Sequence, residues 1–196
     1  VINVEDFAIY VGGSYALLSE VNVQDSGSNG IQVGWTRSGV TISNSYIEGS
    51  GNTTDTGVFL EGGPSYGNSI SNSTVIGYGI GIFAPTNASV TGNYITGSIT
   101  GIRAEENSTV SNNVIYATTG VGIYLQGNNC VVTGNTVRDA GNAGIAVSSS
   151  DYNTISGNNI YNPASDGIGI YNASADNNTI IGNYIYDSSN ANGGIR

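Results

Sequence analysis

The sequence contains no lysine, histidine or methionine and very little positive charge. Its 196 residues include four basic side chains against 14 acidic ones, a formal net charge of -10. All four are arginines, namely Arg37, Arg103, Arg138 and Arg196. Such a chain repels phosphate backbones and anionic lipid, so we expect no nucleic-acid partner. Cell-envelope glycans, cations or further copies of the chain are the expected partners.

Cysteine and long apolar runs are also scarce. The single Cys130 excludes an intramolecular disulfide, and we expect it to be a small buried residue. No run approaches the roughly 18 apolar residues of a membrane span, so no membrane insertion is expected. Because the first residue is Val1, we expect a processed protein or a piece of a longer one.

A six-residue block recurs along the chain. It reads apolar, Ser/Thr, Gly/Asn, Asn/Ser, any residue, apolar, and a degenerate first copy spans Leu18 to Val23. The clear copies are Ile42 to Ile47, Ile70 to Val75, Val90 to Ile95, Val110 to Ile115, Val132 to Val137, Ile155 to Ile160 and Ile180 to Ile185. Alternating apolar residues with many β-branched side chains predict short strands.

A second motif, Gly followed by Ile or Val, any residue and an apolar residue, comes after each block. Its glycines are Gly30, Gly57, Gly79, Gly101, Gly122, Gly144, Gly167 and Gly194, spaced 27, 22, 22, 21, 22, 23 and 27 residues apart. This period excludes helical repeats of about 33 residues or more. We predict an all-β, right-handed parallel β-helix of about eight coils with three short strands per coil.

The prediction covers residues 1–196 as one continuous domain, or as one segment of a longer solenoid. Ile and Val are expected to line the interior, and Gly and Asn to supply the positive-φ corners. A corner ladder of stacked amides is predicted from five asparagines in one register, Asn93, Asn113, Asn135, Asn158 and Asn183.

The paired motifs resemble a known repeat family. Val132-Thr133-Gly134-Asn135-Thr136-Val137, followed by Gly144-Ile145-Ala146-Val147, is similar to the parallel β-helix repeats of polysaccharide lyases and hydrolases, alginate epimerases, phage tailspikes, nitrous oxide reductase accessory proteins and archaeal surface proteins. The resemblance covers residues 18–196 and implies the fold. Unrelated chemistries share this scaffold, so activity has to be argued from the site.

The enzymes of this family act with carboxylates together with Arg, Lys or His, and this chain departs from that pattern. It has no Gly-His-Gly, Arg-Ile-Lys or Asp-Pro-His-Asp motif, so no catalytic residue is assigned. Glycoside hydrolysis needs two carboxyl groups about 5–9.5 Å apart. The register offers Glu61 with Glu105, and Asp139 with Asp187, each pair two coils apart.

Metal chemistry has little support in the sequence. Calcium-roll and EF-hand motifs are absent, and copper would need His, Cys or Met ligands. We therefore expect no metal site and no cofactor. Loose association of calcium with surface carboxylates is left open.

One outward stripe is a candidate glycan- or partner-binding face. Tyr116, Arg138, Tyr161 and Tyr186 each follow the inward apolar residue in four consecutive coils. Arg138 is expected to stack between tyrosines in a cation-π arrangement. The alternative interpretation is a self-stabilising ladder on the sheet surface.

Six Asn-x-Ser/Thr sequons are candidate glycosylation sites, at Asn52, Asn72, Asn87, Asn107, Asn172 and Asn177. With the acidity and the absence of lysine, they favour a secreted or cell-surface glycoprotein. The strand-like Val1-Ile2-Asn3-Val4 and the terminal Gly194-Ile195-Arg196 suggest that subunits add head to tail into a filament, although a cut from a longer β-helix accounts for both equally well.

The leading hypothesis is therefore a non-enzymatic structural protein of the cell surface, such as a sheath, surface-layer, adhesin or filament subunit. The alternative is a carbohydrate-active or glycan-binding β-helix acting on polysaccharide. If the protein is an enzyme, the resemblance implies a polysaccharide lyase or a glycoside hydrolase.

Overall fold

The computed structural model describes residues 7–61, 67–172, 175–188 and 194–196. Strands, turns and bends make up these ranges, which contain no helix. Residues Val1 to Val4, expected to form a strand, lie outside them. No helix in the described ranges is long and apolar enough to span a membrane.

Three parallel sheets of eight strands each run the length of the described chain. Sheet A consists of Phe7–Val11, Asn29–Val33, Thr56–Phe59, Ile80–Ala84, Thr100–Ala104, Ile123–Leu125, Ile145–Val147 and Ile168–Ile170. Sheet B consists of Leu17–Ser19, Thr41–Ser43, Ser69–Ser71, Ser89–Thr91, Thr109–Ser111, Val131–Thr133, Thr154–Ser156 and Thr179–Ile181. Sheet C consists of Asn22–Ser26, Tyr46–Gly49, Thr74–Ile76, Tyr94–Thr96, Val114–Tyr116, Thr136–Arg138, Asn159–Tyr161 and Tyr184–Tyr186.

Each coil takes one strand from sheet A, then one from sheet B, then one from sheet C, before the chain pairs with the next coil. Pairing in all three sheets is parallel, between strands three apart in chain order. The prediction of a right-handed parallel β-helix with about eight coils and three short strands per coil is confirmed. Stacked coils are separated by about 4.8 Å, the strand spacing of a sheet.

The core is a set of apolar ladders that run along the inside of the coils. The middle residue of each three-residue strand in sheets B and C points inward. Val90 of sheet B, Ile95 of sheet C and Ile102 of the following sheet A strand are all completely buried. Each fully buried Ile or Val contributes roughly 1.5–3 kcal/mol relative to exposure. The repeated block of the sequence thus encodes the core directly.

One predicted repeat position is wrong by two residues. Strand pairing puts Ile82 opposite both Val58 and Ile102, so the fourth coil contributes Gly81, not Gly79, to the glycine column. The sequence Gly79-Ile80-Gly81-Ile82 contains the motif twice. Packing selects the second copy, because Ile82 is completely buried whereas Ile80 is only half-buried.

The tight corner between sheets B and C has a constant geometry. The third residue of every block has φ between 49° and 68°, and these residues are Glu20, Asn44, Asn72, Gly92, Asn112, Gly134, Gly157 and Gly182. The prediction of Gly and Asn at positive-φ corners is confirmed, with Glu20 of the degenerate first block as the exception. Asn and Gly tolerate this conformation with little steric strain.

The next residue around the corner forms the predicted asparagine ladder. The backbone N–H of Asn113 donates to Oδ1 of Asn135 at 2.9 Å, and the Asn135 side-chain amide donates to Oδ1 of Asn158 at 2.9 Å. Serines continue the ladder in earlier coils, since the backbone N–H of Ser45 donates to Ser73 Oγ at 3.1 Å. These bonds satisfy backbone groups that the corner would otherwise leave unpaired.

Candidate functional site

The outward-facing residues of sheet C include the predicted stripe. Tyr116 lies opposite Arg138, Arg138 opposite Tyr161, and Tyr161 opposite Tyr186. The four residues therefore share one column on the surface of the solenoid.

The expected stacking of Arg138 between tyrosines is not present. Its Nε lies 3.6 Å from Oδ2 of Asp139, and in the described ranges the cation-π contact is made elsewhere, by Arg103. Tyr161 packs instead against Tyr184, with ring centroids 5.9 Å apart and planes inclined by 55°. Arg138 is thus oriented toward the carboxylate next to it in the chain and not toward the neighbouring rings.

A groove of about 450 Å³ opens on sheet C beside the stripe. We call it the sheet C groove, and its lining residues are Tyr94, Val114, Tyr116, Thr136 and Arg138. Tyr94, Val114 and Thr136 are aligned along one outward column, while Tyr116 and Arg138 are aligned along the other. Two of the four stripe residues thus line a concave surface.

A second outward surface, on sheet A, was not predicted from the sequence. Strand register aligns one outward residue from each of six consecutive coils in a single column. These residues are Tyr10, Gln32, Phe59, Phe83, Arg103 and Tyr124. The rings of Phe59 and Phe83 stack with centroids 4.8 Å apart, and the Arg103 guanidinium lies 4.7 Å above the Phe83 ring. Phe59, Phe83 and Arg103 thus form a stacked run of three within this column.

Carboxylates flank this column one outward position further along the strands. Arg103 Nη2 donates to Oε1 of Glu105 at 3.0 Å, and Gln32 Nε2 donates to Oε2 of Glu61 at 3.1 Å. We call Gln32, Phe59, Phe83 and Arg103, with Glu61 and Glu105, the sheet A platform. It combines partly exposed aromatic rings with polar groups that are already hydrogen-bonded to one another.

Glu61 is electrostatically distinct within the platform. Partial burial raises the pKa of its carboxyl group above the ordinary value, and the hydrogen bond from Gln32 acts in the opposite direction. The protonated form is therefore favoured more at Glu61 than in a freely solvated glutamate.

The two carboxylate pairs suggested by the sequence differ in their surroundings. Glu61 and Glu105 lie on one column with Pro85 between them, two coils and therefore roughly 10 Å apart. Asp139 and Asp187 are separated by Asn162, whose side-chain amide donates to Oδ1 of Asp139 at 2.7 Å. Asp139 is therefore already hydrogen-bonded to the residue that lies between the two aspartates.

The sequon asparagines lie in loops and corners, as their positions in the repeat indicate. Asn87 is half-buried, and the exposed ones are Asn52, Asn72, Asn107, Asn172 and Asn177. Asn172 precedes residues outside the described ranges. Attachment of sugar at these sites stays a prediction.

Cys130 is buried, as predicted. Its thiol donates to the backbone carbonyl of Glu105 at 2.8 Å, and burial raises its pKa to about 11. Within the described ranges no group of three or more His, Cys, Asp or Glu side chains is close enough to hold a metal ion.

The sequence profile described as a right handed beta helix region matches residues 1–126 and 29–185. The chain belongs to the right-handed beta helix family. A comparison of this β-helix with curated proteins gives no significant match.

Solved β-helices of similar shape include enzymes and phage proteins. The A-module of the Azotobacter vinelandii mannuronan C-5 epimerase AlgE4 is 14% identical with a TM-score of 0.67, over 92% of this chain and 61% of that one. A mutant tailspike protein of E. coli bacteriophage HK620, in complex with a hexasaccharide, is 15% identical with a TM-score of 0.63, over 90% of this chain and 39% of that one. Tailspike protein 2 of bacteriophage CBA120 is 15% identical with a TM-score of 0.59, over 87% of this chain and 35% of that one. At these identities the likeness shows the fold.

Proposed function

We propose that this β-helix is a glycan-binding segment of an extracellular or cell-surface protein, and that the sheet A platform binds the glycan. The observation that carries the proposal is the stacked column of Phe59, Phe83 and Arg103, with Glu61 and Glu105 held beside it.

The chemistry of the platform fits a sugar chain. The C–H face of a sugar ring packs on an aromatic face, while carboxylate and amide oxygens accept hydrogen bonds from sugar hydroxyls. Because the same outward position recurs at every coil, about 4.8 Å apart, the surface suits an extended polymer lying along the solenoid. Charged groups already tied to a neighbour, as Glu105 is to Arg103, lose little freedom on binding.

The comparisons support the ligand class without fixing it. One similar structure holds a hexasaccharide, and another is named for mannuronan, a polysaccharide. The chain spans 61% of the epimerase module and 39% of that tailspike, so their complete activities are not carried over. We propose binding as the activity, and turnover by Glu61 with Glu105 is measured in the same experiment.

The test is calorimetric titration of neutral and uronic-acid oligosaccharides into the protein and into Phe83→Ala. We expect a saccharide to bind and the variant to lose about two- to twelvefold in affinity, since aromatic stacking contributes about 0.5–1.5 kcal/mol. Tyr152→Asn is the control, because Tyr152 is exposed outside the platform and asparagine accepts its φ of 59°. Unchanged affinity in Phe83→Ala would remove the platform from the proposal.

Release of reducing ends, or of unsaturated products, is followed in the same samples. Products that disappear in both Glu61→Gln and Glu105→Gln would replace the binding proposal with a glycoside hydrolase or polysaccharide lyase.

A structural surface role, as a sheath, surface-layer, adhesin or filament subunit, is the second candidate. The observation that favours it is the corner ladder, which passes through all eight coils from Val21 to Asn183 and gives a uniform rod. Head-to-tail self-association, glycosylation and loose calcium binding belong to this proposal. The two candidates are compatible, since a rod on a cell surface can also bind glycan.

A further inference from the structure

The sheet C groove combines half-exposed aromatic rings with a freely accessible guanidinium. We propose that it is a second saccharide site, separate from the sheet A platform, and that it selects sugars bearing a carboxylate. The ligand class rests on the proposed function, whereas the location and the charge preference rest on the groove itself.

The preference for a carboxylate follows from Arg138. Its side chain is 65% exposed, and its contact with the protein joins Nε to Asp139 Oδ2 at 3.6 Å, beyond ordinary hydrogen-bond length. Among the described residues its two terminal nitrogens have no partner. A guanidinium with a free edge binds a carboxylate through two parallel hydrogen bonds.

The other surface arginine of the sheets is already engaged. Arg103 donates to Glu105 at 3.0 Å and lies over the Phe83 ring, so its guanidinium is committed on two sides. The sheet A platform also carries a net negative charge, because its two carboxylates, Glu61 and Glu105, outnumber its one arginine. The two surfaces therefore favour different sugars, neutral on the sheet A platform and acidic in the sheet C groove.

The remaining groove residues can hold the body of the sugar. Tyr94 is 40% and Tyr116 41% exposed, and they lie on adjacent coils in different outward columns. Val114 provides an apolar floor between them, and Thr136 adds a hydroxyl next to Arg138. A volume of about 450 Å³ is within the range of small-molecule sites, roughly 300–1,000 Å³.

The charge of the whole chain limits the strength of this site. Asp139 partly neutralises Arg138, and the net charge of -10 repels a polyanion at long range. Recognition must then come from the short-range bidentate contact. Added salt screens both the long-range repulsion and the contact, so salt cannot remove the repulsion alone. Short oligosaccharides carry fewer charges and are repelled less, so they are better probes than long polymers.

The experiment compares oligogalacturonate with its fully methyl-esterified form, which keeps the sugar backbone and lacks the charge. Binding is measured by saturation-transfer NMR and calorimetry on the unmodified protein and on Arg138→Gln, Arg138→Lys and Tyr116→Ala. We expect the acid to bind at least fivefold more tightly than the ester, Arg138→Gln to abolish that preference, and Arg138→Lys to keep only part of it. These side chains are exposed, so unchanged thermal unfolding is the folding control.

Phe83→Ala separates this inference from the proposed function. It should leave the acid-over-ester preference intact, because Phe83 lies on sheet A. Equal affinity for acid and ester overturns the groove site. An acid preference that disappears in Phe83→Ala and persists in Arg138→Gln places uronate on the platform, so the proposed function stands and the groove site fails.

A second copy of the chain is the other occupant that the experiment detects. Sedimentation velocity is run on the same samples without sugar. Dimers that are abolished by Tyr116→Ala would assign the groove to self-association and overturn the saccharide site.

Discussion

The glycines at the start of the sheet A strands lie where no side chain fits. A Cβ on Gly122 would lie 2.4 Å from Cγ1 of Val137 and 2.5 Å from the carbonyl oxygen of Gly144. Gly101 and Gly144 face equivalent contacts with Ile115 and Ile160. The column lets sheet C side chains approach the sheet A backbone at the corner, so glycine is needed here for space and not for a special φ.

Gly122→Ala should lower the free energy of unfolding by roughly 1–3 kcal/mol, the usual cost of overpacking a core. Thermal unfolding followed by circular dichroism measures the loss. Gly13→Ala is the matched control, because a Cβ there meets nothing within 4 Å, and it should be neutral or slightly stabilising. Equal stability of the two variants would contradict the packing explanation.

Glu61 makes a pH-dependent contribution to stability. Its folded-state pKa is raised above the ordinary value of 4.5, so the folded protein takes up this proton at higher pH than the unfolded chain. Burial of the charged form therefore destabilises the fold at neutral pH, and the penalty disappears as pH falls below the unfolded pKa.

Glu61→Gln should raise the melting temperature at pH 7 relative to the unmodified protein and give no advantage at pH 3.5. The glutamine oxygen still accepts from Gln32, so the hydrogen bond is preserved. Glu106→Gln removes an exposed carboxylate and reports the general effect of one fewer negative charge. If both variants gain equally at pH 7, the local burial of Glu61 is not responsible.

At the scale of the strands and corners, the ladder shows how one residue serves several coils. Asn135 is completely buried; its Oδ1 accepts from the backbone N–H and side-chain amide of Asn113, and its amide donates to the carbonyl of Val110 and to Asn158. Removing this side chain leaves buried partners without hydrogen bonds, and each such group costs about 1–3 kcal/mol.

Asn135→Ala should therefore destabilise the protein by at least about 2 kcal/mol, measured by thermal unfolding. Asn135→Ser should lose less, because a serine hydroxyl performs the acceptor role at Ser73. Exposed Asn142→Ala is the control and should change little. A serine variant as unstable as the alanine variant would show that the acceptor is not what the ladder needs.

Strand positions were largely predictable from the sequence, because the inward residues must be apolar in every coil and so repeat visibly. The same constraint predicted the stripe register and the asparagine ladder. It failed at Gly79, where two overlapping copies of the motif satisfy the pattern equally and only burial distinguishes Ile80 from Ile82.

The sheet A platform was missed for the opposite reason. The residue type in its outward column changes from Gln32 to Phe59 to Arg103. An outward side chain does not have to fit the volume of the core, so the residue type at this position need not repeat from coil to coil. A second set of inter-coil bonds was also hidden, because its residues differ in type. There the backbone N–H of Ala88 donates to Ser108 Oγ, and that of Cys130 to Asn153 Oδ1. Aligning outward positions coil by coil would have found the platform, and aligning the buried corner before each sheet B strand would have found the second set of bonds.

For the whole molecule, eight coils give a rod about 40 Å long. If chains add head to tail, electron microscopy of untagged native material across a concentration series should show rods whose axial repeat is near one subunit length. Short dispersed particles at every concentration would remove self-assembly from the structural proposal and leave the glycan-binding proposal in place.

The asparagine ladder also has a direction. From Asn93 to Asn158 each side-chain amide donates one hydrogen bond to the Oδ1 of the asparagine in the next coil, so these amide-to-amide bonds all point the same way along the solenoid. A unit that continues the ladder past Asn183 must present an acceptor, whereas the first rung, Val21, takes part only through its backbone N–H. If two chains met through their Asn183 faces around a two-fold axis, donor would face donor. The ladder is therefore extended past Asn183 only by a unit that points the same way.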